Sequence, residues 1–274
     1  MAAKIAARMN RMAPSGIRKV NEKALAMERA GEKILVSYFP LCDTALEDQV
    51  AWAGKYFDNG TTVLEMGLPY EDPGLDGKTV RDSMARALSK YTVEDAFEVI
   101  RALRRAYPHN ILQVMTYYEI VEKMGTDAFA QRCADCGADA VLSPNTPADR
   151  VGELDAALEG RGLINLRFAP YHLTAEAEAD LKANARGYIF QQSVDGVTGP
   201  QSTTSPQVGV NVARLKSLGI TTPVVAGFGI SNARQVGEMR AMGADGVIVG
   251  SAILSAILAG NGEAFIKSLR EALA

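Results

Sequence analysis

Three stretches of this chain, NGTTVLEMG (59–67), CGADAVLSP (136–144) and MGADGVIVG (242–250), follow one plan, and that plan narrows the fold more than any other feature. Each reads as the end of a helix, a glycine, a short polar step and a brief apolar run leading to a small or polar residue. Glycine closes a helix because the residue beyond the C-cap takes a left-handed backbone. An unbroken apolar run suits a parallel strand buried on both faces. Extending the pattern predicts about eight strands: Leu35–Phe39, Val63–Met66, Ile111–Met115, Ala140–Leu142, Ile164–Phe168, Tyr188–Gln191, Pro223–Ala226 and Val247–Val249. Amphipathic segments lie between them, among them Val93–Tyr107, Asp127–Cys136, Ala148–Glu159, Ala175–Asn184, Val208–Leu218 and Asn232–Met242. In the first of these, Val93, Ala96, Phe97, Ile100 and Leu103 fall on one helical stripe. Strands alternating with helices imply right-handed crossovers and a parallel sheet. Eight such units in 274 residues predict an α/β (β/α)8 TIM barrel, one domain over 1–274, with residues 1–30 as an N-terminal helical extension. A doubly wound open sheet is the alternative. Phe39-Pro-Leu-Cys-Asp43 stands where its G-x-G-x-x-G turn would follow the first strand.

Composition excludes several classes of function. A net charge of −3 leaves no electrostatic footprint for nucleic acid or an anionic membrane. No run approaches the roughly 18–20 apolar residues of a membrane span. Three cysteines in a long chain argue for a reducing compartment over a disulfide framework, and cytoplasm is the expected location. Lys4, Arg8, Arg11, Arg18 and Lys19 precede the first acid, Glu22. The segment lacks the serine richness of a transit peptide and the apolar core of a secretion signal.

A barrel of this kind places its active site at the C-terminal ends of the strands. That rule selects Asp43, Glu65, Asp72, Asp76, Tyr117, Asn145, the stretch Ser193 to Gly199, and the glycine stretches GFGIS (227–231) and GSA (250–252). The last two run from a strand into a helix. Small residues there let the backbone approach a ligand, and a helix start presents free N–H groups to an anion. Two such turns in these barrel positions point to a phosphate, with GVTG (196–199) completing the cradle; tight turns alone are the structural alternative. Glu65 lies inside an apolar run, so its carboxyl is expected in a desolvated pocket that raises its pKa toward the range useful for proton transfer. A second acid facing a phosphate site implies acid–base work on a phosphorylated substrate. Cys133-Ala-Asp-Cys136 has no second cysteine pair, and His109 and His172 have no partners at strand ends, which argues against zinc, redox or histidine-triad chemistry. No lysine ends a strand, against a Schiff-base aldolase.

LEMGLPYEDPGLDG (64–77), DGVTG (195–199), AGFGIS (226–231) and VGSAI (249–253) resemble, in order and spacing, the motifs of the tryptophan synthase alpha subunit family, from about Ile34 to the C-terminus. The resemblance implies retro-aldol cleavage of indole-3-glycerol phosphate to indole and glyceraldehyde 3-phosphate, without metal or organic cofactor. It implies that Glu65 shuttles the proton between indole C3 and the glycerol hydroxyl, and that Asp76 accepts the indole N–H. It places Gly199, Gly229, Gly250 and Ser251 at the phosphate and Thr198 on a loop, about Ser193 to Pro206, that closes as a lid. Tyr117 and Phe190 line the substrate pocket. Phe190 stands where the family usually has a tyrosine, and Val194 and Asp195 replace an arginine and a small residue. Asn145 stands where aspartate is common, and Glu119 where asparagine is usual. Glu71, Gly74 and Leu75 alter the loop that meets the beta subunit. The catalytic pair with an altered contact loop implies a stand-alone lyase, or a paralogue serving another pathway, that releases its product; an alpha chain working with a beta subunit is the other form of the same activity. Two alternatives remain at this level: a lyase for a different phosphorylated substrate, and a non-catalytic partner of a beta-type subunit.

Overall fold

The computed structural model describes residues 32–195 and 204–274, so the expected extension over 1–30, Thr198, Gly199 and most of the expected lid lie outside the described residues. Nine parallel strands form one sheet: β1 Ile34–Pro40, β2 Val63–Gly67, β3 Ile111–Met115, β4 Ala140–Leu142, β5 Ile164–Asn165, β6 Arg167–Ala169, β7 Ile189–Gln192, β8 Val224–Gly227 and β9 Gly246–Val249. Their order is β5-β4-β3-β2-β1-β9-β8-β7-β6. The two end strands are halves of one predicted strand, divided at Leu166. Its first half pairs with β4 and its second with β7, so the chain changes partners at Leu166 and thereby closes the barrel. The Leu166 N–H still bonds to the Val141 carbonyl at 2.8 Å. The predicted eight-stranded barrel is therefore present, with its fifth strand bent rather than continuous.

The helices are α1 Leu46–Asp58, α2 Lys78–Leu88, α3 Val93–Ala106, α4 Tyr118–Met124, α5 Thr126–Cys136, α6 Val151–Glu159, α7 Ala175–Asn184, α8 Gln207–Ser217, α9 Ala233–Ala241, α10 Ser251–Leu258 and α11 Gly262–Leu273. Among the described residues no helix is long and apolar enough to cross a membrane.

The repeated sequence unit has a physical explanation at each copy. Gly60, Gly137 and Gly243 all take positive φ, between 86° and 98°, as the turn out of a helix requires. The polar residue that follows ties its strand to a neighbour with a reciprocal pair of bonds. Thr62 donates its N–H to the Leu35 carbonyl and accepts the Leu35 N–H on its hydroxyl. Asp139 does the same with Leu112, and Asp245 with Val224. Each polar step therefore sets the register at the start of an adjacent strand.

Alternate strand residues divide into two cores, because successive side chains point to opposite faces. Leu35, Leu64, Leu112, Val141, Ile189 and Val247 pack outward under the helices. Ile34, Val36, Val63, Ile111, Ile164, Val225 and Ile248 fill the barrel interior. Continuing the inward set toward the strand ends reaches Tyr38, Glu65, Gln113, Phe168 and Phe190. The site is the top layer of the same interior packing, where apolar filling gives way to functional groups.

Candidate active site

Glu65 sits midway along β2, in register with Tyr38 on β1 and Gln113 on β3. Only 4% of it is exposed. The Gln113 Nε2 donates to its Oε1 at 2.9 Å, and the Tyr188 hydroxyl donates to the Gln113 Oε1. Burial pushes the Glu65 carboxyl up from 4.5 to about 8; the Gln113 bond works against this, and the nearby Asp76 adds to it. At neutral pH the side chain is therefore mostly protonated and close to its titration point, where an acid can also act as a base.

Asp76 lies on the loop between β2 and α2, immediately before the Gly77 N-cap, and is buried. A carboxylate is favoured at this position by the free N–H groups of the helix start. Tyr117 donates its hydroxyl to the Asp76 Oδ2 at 2.7 Å and accepts the Leu75 N–H at 3.2 Å, so one phenol fixes both the acid and its loop. Burial, followed by the proximity of Asp76, raises the Tyr117 pKa, which keeps the phenol a donor. Tyr70 stacks on the Tyr117 ring with centroids 5.1 Å apart. Tyr38 completes this side. It is buried, its hydroxyl has no hydrogen-bond partner among the described residues, and its ring fills the space that a Cβ at Gly67 would take.

The facing side is built from small residues and rings. GFGIS leaves β8 with Phe228 and Gly229 both at positive φ, 75° and 76°. Phe228 is one of two non-glycine residues in that region among those described, and its ring meets Phe190 at 5.3 Å and Phe168 at 6.0 Å. Phe168 and Phe190 are 5.2 Å apart, so three rings from β6, β7 and the β8 end form one apolar corner. Gly250 caps α10 without any side-chain cap bond, which leaves that helix start open to an anion. The two sides border a cleft lined by Glu65 and Asp76 on one side and Phe228, Gly229, Gly250 and Ser251 on the other. Among the described residues, neither lysine nor arginine contributes to the lining.

Of the sequence-selected residues, Glu65, Asp76, Phe190, Gly229, Gly250 and Ser251 come together in this cleft. Tyr117 acts one step behind it, through Asp76. Asp43 does not join them: it forms a bidentate ion pair with Arg86 of α2, at 2.7 and 2.8 Å, and ties the β1 loop to that helix. Asp72 is exposed on the rim, as are Glu71 and Gly74. Asn145 accepts the Tyr118 N–H at 2.8 Å and donates to Glu119 at 2.9 Å. The two sequence departures at 119 and 145 thus compensate each other. An aspartate at 145 would oppose the Glu119 carboxylate, whereas the amide bonds to it. Val194 and Asp195 lie at the edge of the described residues, with Asp195 3.4 Å from His172. The CXXC cysteines are both buried, and burial pushes the Cys136 thiol up to about 11, so neither is a thiolate at neutral pH.

Tyr38, Phe168, Phe228, Gln113 and Tyr188 were not selected from the sequence. One signal could have found Gln113: a lone polar residue in the run ILQVM, as Glu65 is in VLEMG, at the same step along neighbouring strands. The rings carry no such mark, because aromatic residues are ordinary core material.

The family model for "Tryptophan synthase alpha chain" matches residues 25–272. A tryptophan synthase alpha chain of Corynebacterium glutamicum is 34% identical over 233 residues, covering 84% of this chain and 83% of that protein. One from Archaeoglobus fulgidus is 32% identical over 226 residues, covering 82% and 90%. A solved structure of Mycobacterium tuberculosis tryptophan synthase superposes with a TM-score of 0.84 at 27% identity, over 95% of this chain and 99% of that one.

Proposed function

The chain belongs to the tryptophan synthase alpha chain family, and we propose that it catalyses retro-aldol cleavage of indole-3-glycerol phosphate to indole and glyceraldehyde 3-phosphate, as a carbon–carbon lyase of tryptophan biosynthesis. The observation that carries this reading is Glu65. It is a buried carboxyl, mostly protonated at neutral pH, that opens on a cleft with a second acid on the same side and anion-accepting backbone opposite.

The reaction requires the indole ring to become a leaving group. Glu65 delivers its proton to indole C3, which moves positive charge onto the ring nitrogen. Asp76 accepts the N–H and stabilises that charge as it develops. The bond between C3 and the glycerol side chain then breaks, its electrons restore the aromatic ring, and the glycerol hydroxyl becomes the aldehyde as its proton returns to Glu65. No proton is gained or lost overall, so a single carboxyl near its titration point serves both steps. The Phe168, Phe190 and Phe228 corner provides apolar contact. Gly229, Gly250 and Ser251 take the phosphate by backbone and helix start, with Thr198 and Gly199 assigned to the same end through the family resemblance. Incubating the purified chain with indole-3-glycerol phosphate should release indole. Absence of release, with or without a beta chain, would overturn the assignment.

The rim favours an alpha chain over a stand-alone lyase. Glu119 and Asn145 exchange the acid and amide expected from the family resemblance, and the hydrogen bond that joins them pairs an acid with an amide as the expected residues would. Mixing with a tryptophan synthase beta chain should shift the gel-filtration volume and raise indole production. A chain that elutes alone and gains no activity is a free lyase that releases indole to solvent.

A further inference from the structure

The contact between Gln113 and Glu65 does more than hold a side chain in place, because an amide is chemically lopsided. Its nitrogen can only donate and its oxygen can only accept. The Tyr188 hydroxyl has no other acceptor among the described residues and donates to the Gln113 oxygen, which leaves the Gln113 nitrogen facing Glu65. That nitrogen donates to the Glu65 Oε1, so Oε1 is committed as an acceptor whether or not the carboxyl is protonated. The other oxygen is the one left to carry a proton. Glu65 lines the cleft, whereas Gln113 and Tyr188 are not among its lining residues, so the committed oxygen is the one on the Gln113 side and the other is left for the cleft.

We propose that Gln113 is a positioning residue that confines the mobile proton of Glu65 to Oε2, the oxygen on the cleft side, and that Tyr188 fixes the direction of the amide. Oε2 then gives its proton to the substrate carbon and receives one from the substrate hydroxyl. The amide neither gains nor loses a proton. Without this restraint the proton divides between two oxygens, one of which faces away from the substrate. This inference rests on the proton-shuttle reading of Glu65.

Other groups around Glu65 also set its titration. Asp76 faces it from the β2–α2 loop, Tyr38 from β1 and Tyr188 from the start of β7, and a change at Gln113 alone removes none of the three. Gln113→Met keeps the side-chain length and removes the amide. Tyr188→Phe keeps the ring and frees the amide to turn, and it serves as the second variant should the first not fold. Two measurements test the proposal. The first does not depend on turnover: an infrared difference spectrum against Glu65→Gln isolates the carboxyl C=O band of Glu65. In the unaltered protein that band is lowered by the amide bond, and it should move to higher wavenumber in Gln113→Met and part of the way in Tyr188→Phe. The second is the pH profile of kcat/KM, whose alkaline limb should rise by about one pH unit in Gln113→Met, with kcat falling more than KM changes. An unmoved carboxyl band, or a loss of activity by one constant factor at every pH, would overturn it. A moved band in a chain that releases no indole would instead uphold the restraint and overturn the lyase reading.

Discussion

On the β2–β3 side of the cleft the working groups are side chains, while on the β8–β9 side they are mostly backbone. Glu65 and Asp76 are single carboxyls: Gln113 donates to the first, which burial tunes, and Tyr117 donates to the second. Gly229 and Gly250 line the cleft without side chains, and Gly250 starts a helix with no side-chain cap bond. The two sides should therefore fail differently. An isosteric change on the first removes a proton or a charge and leaves the shape intact. A single added methyl on the second blocks an approach and leaves the chemistry intact. The proposed function thus assigns bond breaking to one side and binding to the other.

The largest expected effect tests the first side. Glu65→Gln should lower kcat by about 10³-fold or more, within the usual range for removing a general acid–base group. It should also stabilise the protein in alkali. The native carboxyl titrates near 8 and an ordinary one near 4.5, so between those values the native state holds a proton that the unfolded state has released. Stability therefore falls as pH rises through that window and levels off above about 8. Glutamine removes the dependence, and urea melts should show the variant gaining roughly 3–5 kcal/mol at pH 9 but little at pH 4. A variant that keeps its turnover, or gains nothing in alkali, would separate Glu65 from both roles.

Asp76→Asn comes next, with kcat down about 10²–10³-fold, the scale of a lost electrostatic contact to developing charge. Because the charge forms only during reaction, KM should change little; a change confined to KM would move Asp76 from the chemical side to the binding side. Tyr117→Phe should cost about tenfold in kcat by releasing Asp76, the size of one hydrogen bond to a charged group. Gly229→Ala tests the second side by adding a methyl and straining a left-handed turn: KM should rise several-fold with kcat nearly unchanged, read by steady-state kinetics over a range of substrate concentration. Equal losses in kcat and kcat/KM there would erase the proposed division of labour.

How far the sequence revealed each side follows from the same contrast. Glu65 and the glycine turns are conspicuous because they interrupt apolar runs or join strand to helix. Asp76 needed the barrel rule as well as the family resemblance, since a DG pair alone reads as a turn. The rings did not stand out. Phe168 and Phe228 differ from core phenylalanines only in which way they face, and strands buried on both sides show no alternation that would reveal it. Asp43 shows the reverse error: it ends a strand correctly, but its nearest cation, Arg86, turns it away from the cleft. The bend at Leu166 was likewise invisible, because a change of pairing partner depends on closure of the whole sheet.

The glycines inside the barrel carry one more consequence. Gly67 leaves the room that Tyr38 fills, and Gly227 leaves the room that Phe190 fills. In each case the glycine on one strand and the ring on the next are a single shape divided between two positions. Descendants of this chain can alter that part of the cleft only by changing both members of a pair, since a side chain at 67 or 227 collides with the ring already present. Shifts in substrate preference through these positions should appear as covarying doublets, glycine gaining volume as the ring loses it, and seldom as isolated replacements.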